Sequence, residues 1–186
     1  MNTGEYYYKG VKVSIWGKNG NKCTIVVEDK ETHREETVMS HSEKAVEYYS
    51  NNFNCSQSVF TAFATELGID EKLALKLGTD FGGGARKGEL CGAVAGALMV
   101  LGLRCGHCES DDTDGKRKAY SVSEEFMNRF IAQKGTVVCR ELLGYDLTKE
   151  EDMKCIMDGN LFKTICPEMV RCASEILDEV IDEGIC

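Results

Sequence analysis

The chain has 186 residues, 42% of them apolar, which suits one domain with an ordinary core and a small appendage. Its formal net charge of −9 argues against nucleic acid as a partner. The opening MNTGEYYYKG has no basic stretch leading into an apolar run. The longest apolar stretch, about residues 93 to 103, holds two glycines and is too short to span a bilayer, so a cytoplasmic protein without a membrane span is expected.

Residues 1–39 read as a β element. YYYKGVKVSIW and CTIVVED alternate and are rich in β-branched and aromatic residues, with the turn signal GKNGNK between them. REETVM adds a candidate third strand. The expectation is a small β-hairpin or three-stranded meander appended to a helical domain over residues 40–186.

From Ser40 the chain is predicted to be helical, so the fold class is mainly α, a compact multi-helix domain. Ser40 with Glu43 forms a capping box that opens a helix through Tyr49. Further helices are predicted at about 55–67, 70–77, 89–103, 116–133, 137–143 and 167–183, and Thr148 with Glu151 caps another short one. SDDTDGKRK, residues 110–118, reads as a surface loop. In the last helix Met169, Cys172, Ile176 and Val180 recur at core-facing spacing, while Glu175, Asp178, Glu179, Asp182 and Glu183 read as a solvated face.

Ten cysteines in a reducing compartment point to metal or redox chemistry rather than structural staples. Four are predicted to open separate helices. Asn54 and Gln57 make a capping-box-like start that puts Cys55 at the first helical position. Cys91 ends the glycine-rich FGGGARKGEL, and Cys139 precedes a short helix that closes at Gly144. Pro167 suits a first helical position and makes Cys166 the N-cap. Helix N-termini carry unpaired N–H groups and partial positive charge, which favour thiolate, the reactive and metal-binding form. The small residues Gly92, Ala93, Ala95, Gly96 and Ala97 let another backbone approach, bringing Cys91 toward its partners.

Ionising all four thiols together is costly. Two like charges about 4 Å apart at an effective dielectric of 20 repel by roughly 4 kcal/mol. A helix terminus returns about 0.3–1 kcal/mol, up to roughly 2 when buried. The four must therefore be neutralised by a cation, stay partly protonated, or be oxidised; Arg86 and Lys87 lie near Cys91 but do not balance four anions. Sequence gaps of 36, 48 and 27 positions do not match a zinc ribbon and suit an iron–sulfur cluster between helices, 2Fe–2S being the simplest. The alternatives are zinc, a metal-free thiol–disulfide switch or oxidoreductase at the same cysteines, and a non-catalytic helical scaffold with buried thiols.

Cys105-Gly106-His107-Cys108 resembles a dithiol motif but follows a helix rather than a strand, so it is at most an accessory dithiol. FGGGARKG lacks the P-loop ending and reads as a flexible connection. His33 and His41 have no assigned role, and Cys23, Cys155, Cys172 and Cys186 have no motif. The open edge of the β element and the small-residue helix faces suggest a homodimer. The electron partner or substrate has no signature here.

NCSQS, FGGGARKGELCGAVAGALMVLG, CRELLGYDL and CPEMVRCASEIL, in this order, resemble the C_GCAxxG_C_C family of bacterial and archaeal redox-active proteins, over about residues 42–182. The family's name suggests a glycine before the cysteine, where this chain has Leu90; Cys91 and the small residues after it match the commoner CGAxxG form. The resemblance implies that Cys55, Cys91, Cys139 and Cys166 are the family's four cysteines. It also implies a mainly helical fold with a redox or metal role.

Overall fold

The computed structural model describes the backbone of residues 4–8, 11–19, 22–29 and 32–185, and the side chains of residues 39–185. The chain divides into two compact units, Met1–Ser40 and His41–Cys186. In the first, backbone strands β1 (Gly4–Tyr8), β2 (Val11–Asn19), β3 (Lys22–Asp29) and β4 (Thr32–Val38) pair antiparallel in sequence order. The expected hairpin or meander falls on this segment, whose turns and side chains lie outside the described residues. So do the side chains of Cys23, His33 and Cys186.

The second unit is helical: α1 (His41–Ser50), α2 (Cys55–Ala64), α3 (Glu71–Gly78), α4 (Gly92–Cys105), α5 (Thr113–Lys134), α6 (Cys139–Leu143), α7 (Glu150–Asp158), α8 (Leu161–Thr164) and α9 (Cys166–Asp182). No helix among the described residues is long and apolar enough to cross a membrane.

α2 lies at the centre, packed by α1, α3, α4 and α9, and nine of its ten residues are buried. It begins as its sequence dictates. Asn54 Oδ1 accepts from the N–H groups of Ser56 and Gln57 at 3.0 Å, and Gln57 Oε1 accepts from Asn54 N–H at 3.0 Å. The same two side chains tie α2 to the end of α3: Asn54 Nδ2 donates to Thr79 O at 2.8 Å and Gln57 Nε2 to Leu75 O at 2.9 Å.

α4 crosses α2 at backbone contact. A Cβ on Gly96 would stand 2.7 Å from Ser56 O and 3.1 Å from Phe60 N; one on Gly92 would stand 3.2 Å from Cys55 Cβ. The small-residue face therefore has a specific partner. α5 and α9 close the core with Val122, Phe126 and Phe130 from one and Val170, Ala173, Ile176, Leu177 and Val180 from the other.

Three local expectations need correction. Residues 110–118 are a surface but not a loop, because Asp112 Oδ1 caps Gly115 N–H at 2.8 Å and starts α5 at Thr113. Thr148 does not cap α7: its hydroxyl bonds Asp146 at 2.7 Å, and Lys149 occupies the cap position. The acids of α9 are not simply solvated. Glu183 holds Arg129 of α5 through two bonds of 2.9 and 2.6 Å, and Asp178 binds His41 Nδ1 at 2.6 Å.

His41 is thus a clasp at the start of α1. Its Nε2 lies 3.1 Å from Glu66, just beyond the end of α2, and its ring stacks on Phe63 at 4.0 Å. Burial lowers its pKa, but Asp178 and Glu66 outweigh burial and the net shift is upward from 6.5. A raised pKa stabilises the fold below the unfolded value and loses that contribution as pH rises through the folded one.

Two outcomes are expected. G96A should cost about 1–3 kcal/mol, because its methyl meets a carbonyl that cannot retreat, and should lower the urea midpoint without changing the slope. Wild type should lose about 1 kcal/mol relative to H41N as pH rises from about 6.5 toward 9, read as urea midpoints against pH.

Candidate functional site: four buried cysteines and a cleft

Each expected cysteine stands at the start of a helix, with one change of position. Cys55 is the first residue of α2, and Cys139 is the first of α6. Cys91 is the N-cap of α4, with the N–H groups of Ala93 and Val94 placed to favour its thiolate form. Cys166 is the first residue of α9 rather than its N-cap, and Pro167 follows inside the helix. The cap position falls to Ile165 because α8 runs almost directly into α9.

The four are brought together and all are buried. They come in two pairs. Cys55 and Cys166 stand close enough that each shifts the other's ionisation. Cys91 and Cys139 are joined through backbone. Leu90 and Val138 form an isolated antiparallel bridge, with Cys91 N–H donating to Val137 O at 2.7 Å and Cys139 N–H to Glu89 O at 2.6 Å. In that register Cys91 and Cys139 take diagonal positions, so their side chains leave the bridge on one face. Arg140 to Glu89, at 2.5 Å, fastens its outer side. Among the described residues, no group of three or more His, Cys, Asp or Glu stands in position around a single metal ion.

FGGGARKG is close-packed rather than flexible. Gly83, Gly84, Ala85 and Arg86 all have positive φ, at 63°, 61°, 51° and 62°. This left-handed turn is closed by Glu89 N–H to Gly84 O at 3.2 Å. Gly84 has no room for a side chain, since a Cβ would stand 2.5 Å from Glu89 N and 3.0 Å from Cys139 Cβ. The turn thus presses Cys139 into place.

Helix N-termini do not prevail over burial at three of the four thiols. Burial pushes Cys91 up to about 11, against the opposing Ala93 and Val94 N–H groups, and pushes Cys139 up to about 12 with Cys91 and Cys166 adding repulsion. Cys55 is raised, first because it donates to Cys166 and then by burial. Cys166 alone is lowered, through the bond from Cys55 and, against burial, one from Tyr49. Tyr49 has no motif and escapes sequence reasoning. Its hydroxyl donates to Phe162 O at 2.8 Å and lies beside Cys55 and Cys166, so its proton can turn to a Cys166 thiolate. Only tertiary placement brings α1 to this point.

Cys55, Cys139 and Cys166 line a cleft of about 590 Å³ that also reaches Tyr49, Phe162 and Arg86. Cys91 and Lys87 are not among its lining residues. Of the proposed accessory pair, Cys108 is a free, exposed thiol and Cys105 is disulfide-bonded, so the two are not bonded to each other. Cys155 is exposed, and buried Cys172 donates to Gln133 Oε1 at 3.4 Å.

No curated protein and no solved structure matches the chain. A family model described as "Putative redox-active protein (C_GCAxxG_C_C)" matches residues 53–180, which contain all four cysteines, the left-handed turn and most of α9. Because that match spans more than half of its length, the chain belongs to the C_GCAxxG_C_C family, described as redox-active.

Proposed function

We propose that the protein is an electron-transfer protein in which Cys55, Cys91, Cys139 and Cys166 hold an iron–sulfur cluster, most simply 2Fe–2S. The observation that carries this reading is the grouping of four buried thiols as two pairs, Cys55 with Cys166 and Cys91 with Cys139. A binuclear cluster takes two protein ligands on each iron, whereas a tetrahedral zinc gathers its donors around one ion. The thiols' charge state agrees. Three have pKa values raised by burial and by one another. Buried thiolates need a compensating positive centre, which an iron core provides.

When bound, the cluster would supply one-electron redox chemistry. The chain's own residues do the rest. The Leu90–Val138 bridge and the left-handed turn orient Cys91 and Cys139. The N–H groups of Ala93 and Val94 lie near the Cys91 sulfur and the Tyr49 hydroxyl beside Cys55 and Cys166, the kind of neighbours that tune potential. In this reading residues 40–186 are the working domain, with 1–39 appended, acting in the cytoplasm.

A second reading has its own observation, the juxtaposition of Cys55 and Cys166, with Cys166 the one of the four whose pKa is lowered. Cys166 thiolate would attack a partner disulfide, and Cys55 would then release the mixed disulfide. The protein pair is oxidised to a disulfide while the partner receives two electrons and two protons as two thiols.

Anaerobically purified protein is expected to contain about two iron and two acid-labile sulfide per chain, lost in each of C55S, C91S, C139S and C166S. Colourless, metal-free protein whose thiols disappear in pairs on oxidation would move the assignment to the dithiol. In metal-free protein, Y49F should raise the pKa of Cys166 by about one to two units, the worth of one hydrogen bond to a charged sulfur. The pH dependence of Cys166 alkylation, followed by peptide mass, reads that shift.

A further inference from the structure

The described lining of the cleft above the cysteines runs against the chain's overall negative charge. The chain carries 31 acidic residues against 22 basic ones, yet the described residues lining this cleft include Arg86 and Lys163 and no acid. Both cations are exposed, and neither forms an ion pair with a described residue. Tyr49, Phe53, Phe162 and Pro167 give the walls an apolar, largely aromatic character. The volume of about 590 Å³ falls in the usual range for small-molecule sites.

Arg86 is held there at a cost. It is the last of four consecutive left-handed residues, a conformation that disfavours a side-chain-bearing residue by about 1–2 kcal/mol. Ala85 bears the same strain one position earlier. Strain of this kind is kept where the surroundings enforce it, and it is concentrated at functional sites. Here it places a guanidinium at a cleft whose floor includes Cys55, Cys139 and Cys166.

We propose that this cleft binds a small aromatic redox carrier bearing an anionic group, of the size and chemistry of flavin mononucleotide. Its ring lies among Tyr49, Phe53 and Phe162, and its anion lies at Arg86 and Lys163. The inference rests on the redox reading of the four cysteines for its purpose, but the binding site stands on the cleft alone. Aromatic walls serve a flat ring, two cations serve a phosphate, and no carboxylate among the described lining residues opposes the anion. A bare inorganic anion would leave the apolar walls unused, and a metal cation would meet two positive charges.

The test compares flavin mononucleotide with riboflavin, which has the same ring and no phosphate, by fluorescence titration at low salt. The full chain is used, with iron and sulfide assayed on every sample. Flavin mononucleotide is expected to bind one per chain and about tenfold tighter than riboflavin, since one charge-assisted contact of about 1.4 kcal/mol gives that factor. The preference should vanish in R86Q/K163Q, whose exposed substitutions leave the circular dichroism and thermal midpoint unchanged. Absent flavin mononucleotide binding, equal affinity for the two flavins, or a preference that survives R86Q/K163Q would overturn the proposal. Loss of binding at full iron content counts against the cleft alone. Binding by a metal-free sample keeps the cleft and counts against the cluster.

Discussion

The backbone contact between α4 and α2 is the constraint from which the site follows. Gly92 and Gly96 let the two helices meet without side chains between them, with Gly96 against the Ser56 carbonyl and Gly92 against Cys55. Cys91 immediately precedes Gly92, so the same contact sets the distance between the two halves of the cysteine site. Any larger residue on this face would separate the helices and so the thiols. Function and core packing here use the same few atoms.

Around that contact, electrostatics and burial oppose each other. The N-termini of α2, α4, α6 and α9 carry partial positive charge beside these cysteines, which favours thiolate. Burial among other thiols favours the neutral form, and it prevails at Cys55, Cys91 and Cys139. Cys166 escapes because two donors, Cys55 and Tyr49, face it at once. The metal-free site is therefore asymmetric, with one favoured thiolate among largely neutral partners. Such a site is poised either to take a cationic core or to perform thiol exchange through its one ionisable member.

The segments between helices carry as much of the design as the helices. The left-handed turn at Gly83–Arg86 and the Leu90–Val138 bridge lie close together in sequence and act on both ends of the same pair. One presses on Cys139 and the other aligns it with Cys91. The turn also carries Arg86 to the cleft. On the opposite side of the unit, His41, Glu66 and Asp178 join α1, the region after α2, and α9, so the helix that delivers Tyr49 is itself clasped.

Local sequence determined the features that depend on a few neighbouring residues. The Asn54–Gln57 capping box, the Gly144 stop, the apolar face of α9 and the placement of four cysteines at helix starts all follow from short-range hydrogen bonding and periodicity. The family was likewise legible, because its motifs are contiguous. The tertiary structure decided what depends on residues distant in the chain. Pairing of Cys55 with Cys166 spans 111 positions and needs α1 and α9 to pack on α2. Tyr49 and His41 each depend on a hydrogen-bond partner more than 100 positions away, Phe162 and Asp178. The FGGGARKG stretch reads as loose in sequence because glycine permits many conformations; its neighbours Asn54, Glu89 and Cys139 select one. Helix-start chemistry predicts thiolates, but burial and the approach of one thiol to another are properties of the assembled core, and together they raise three of the four.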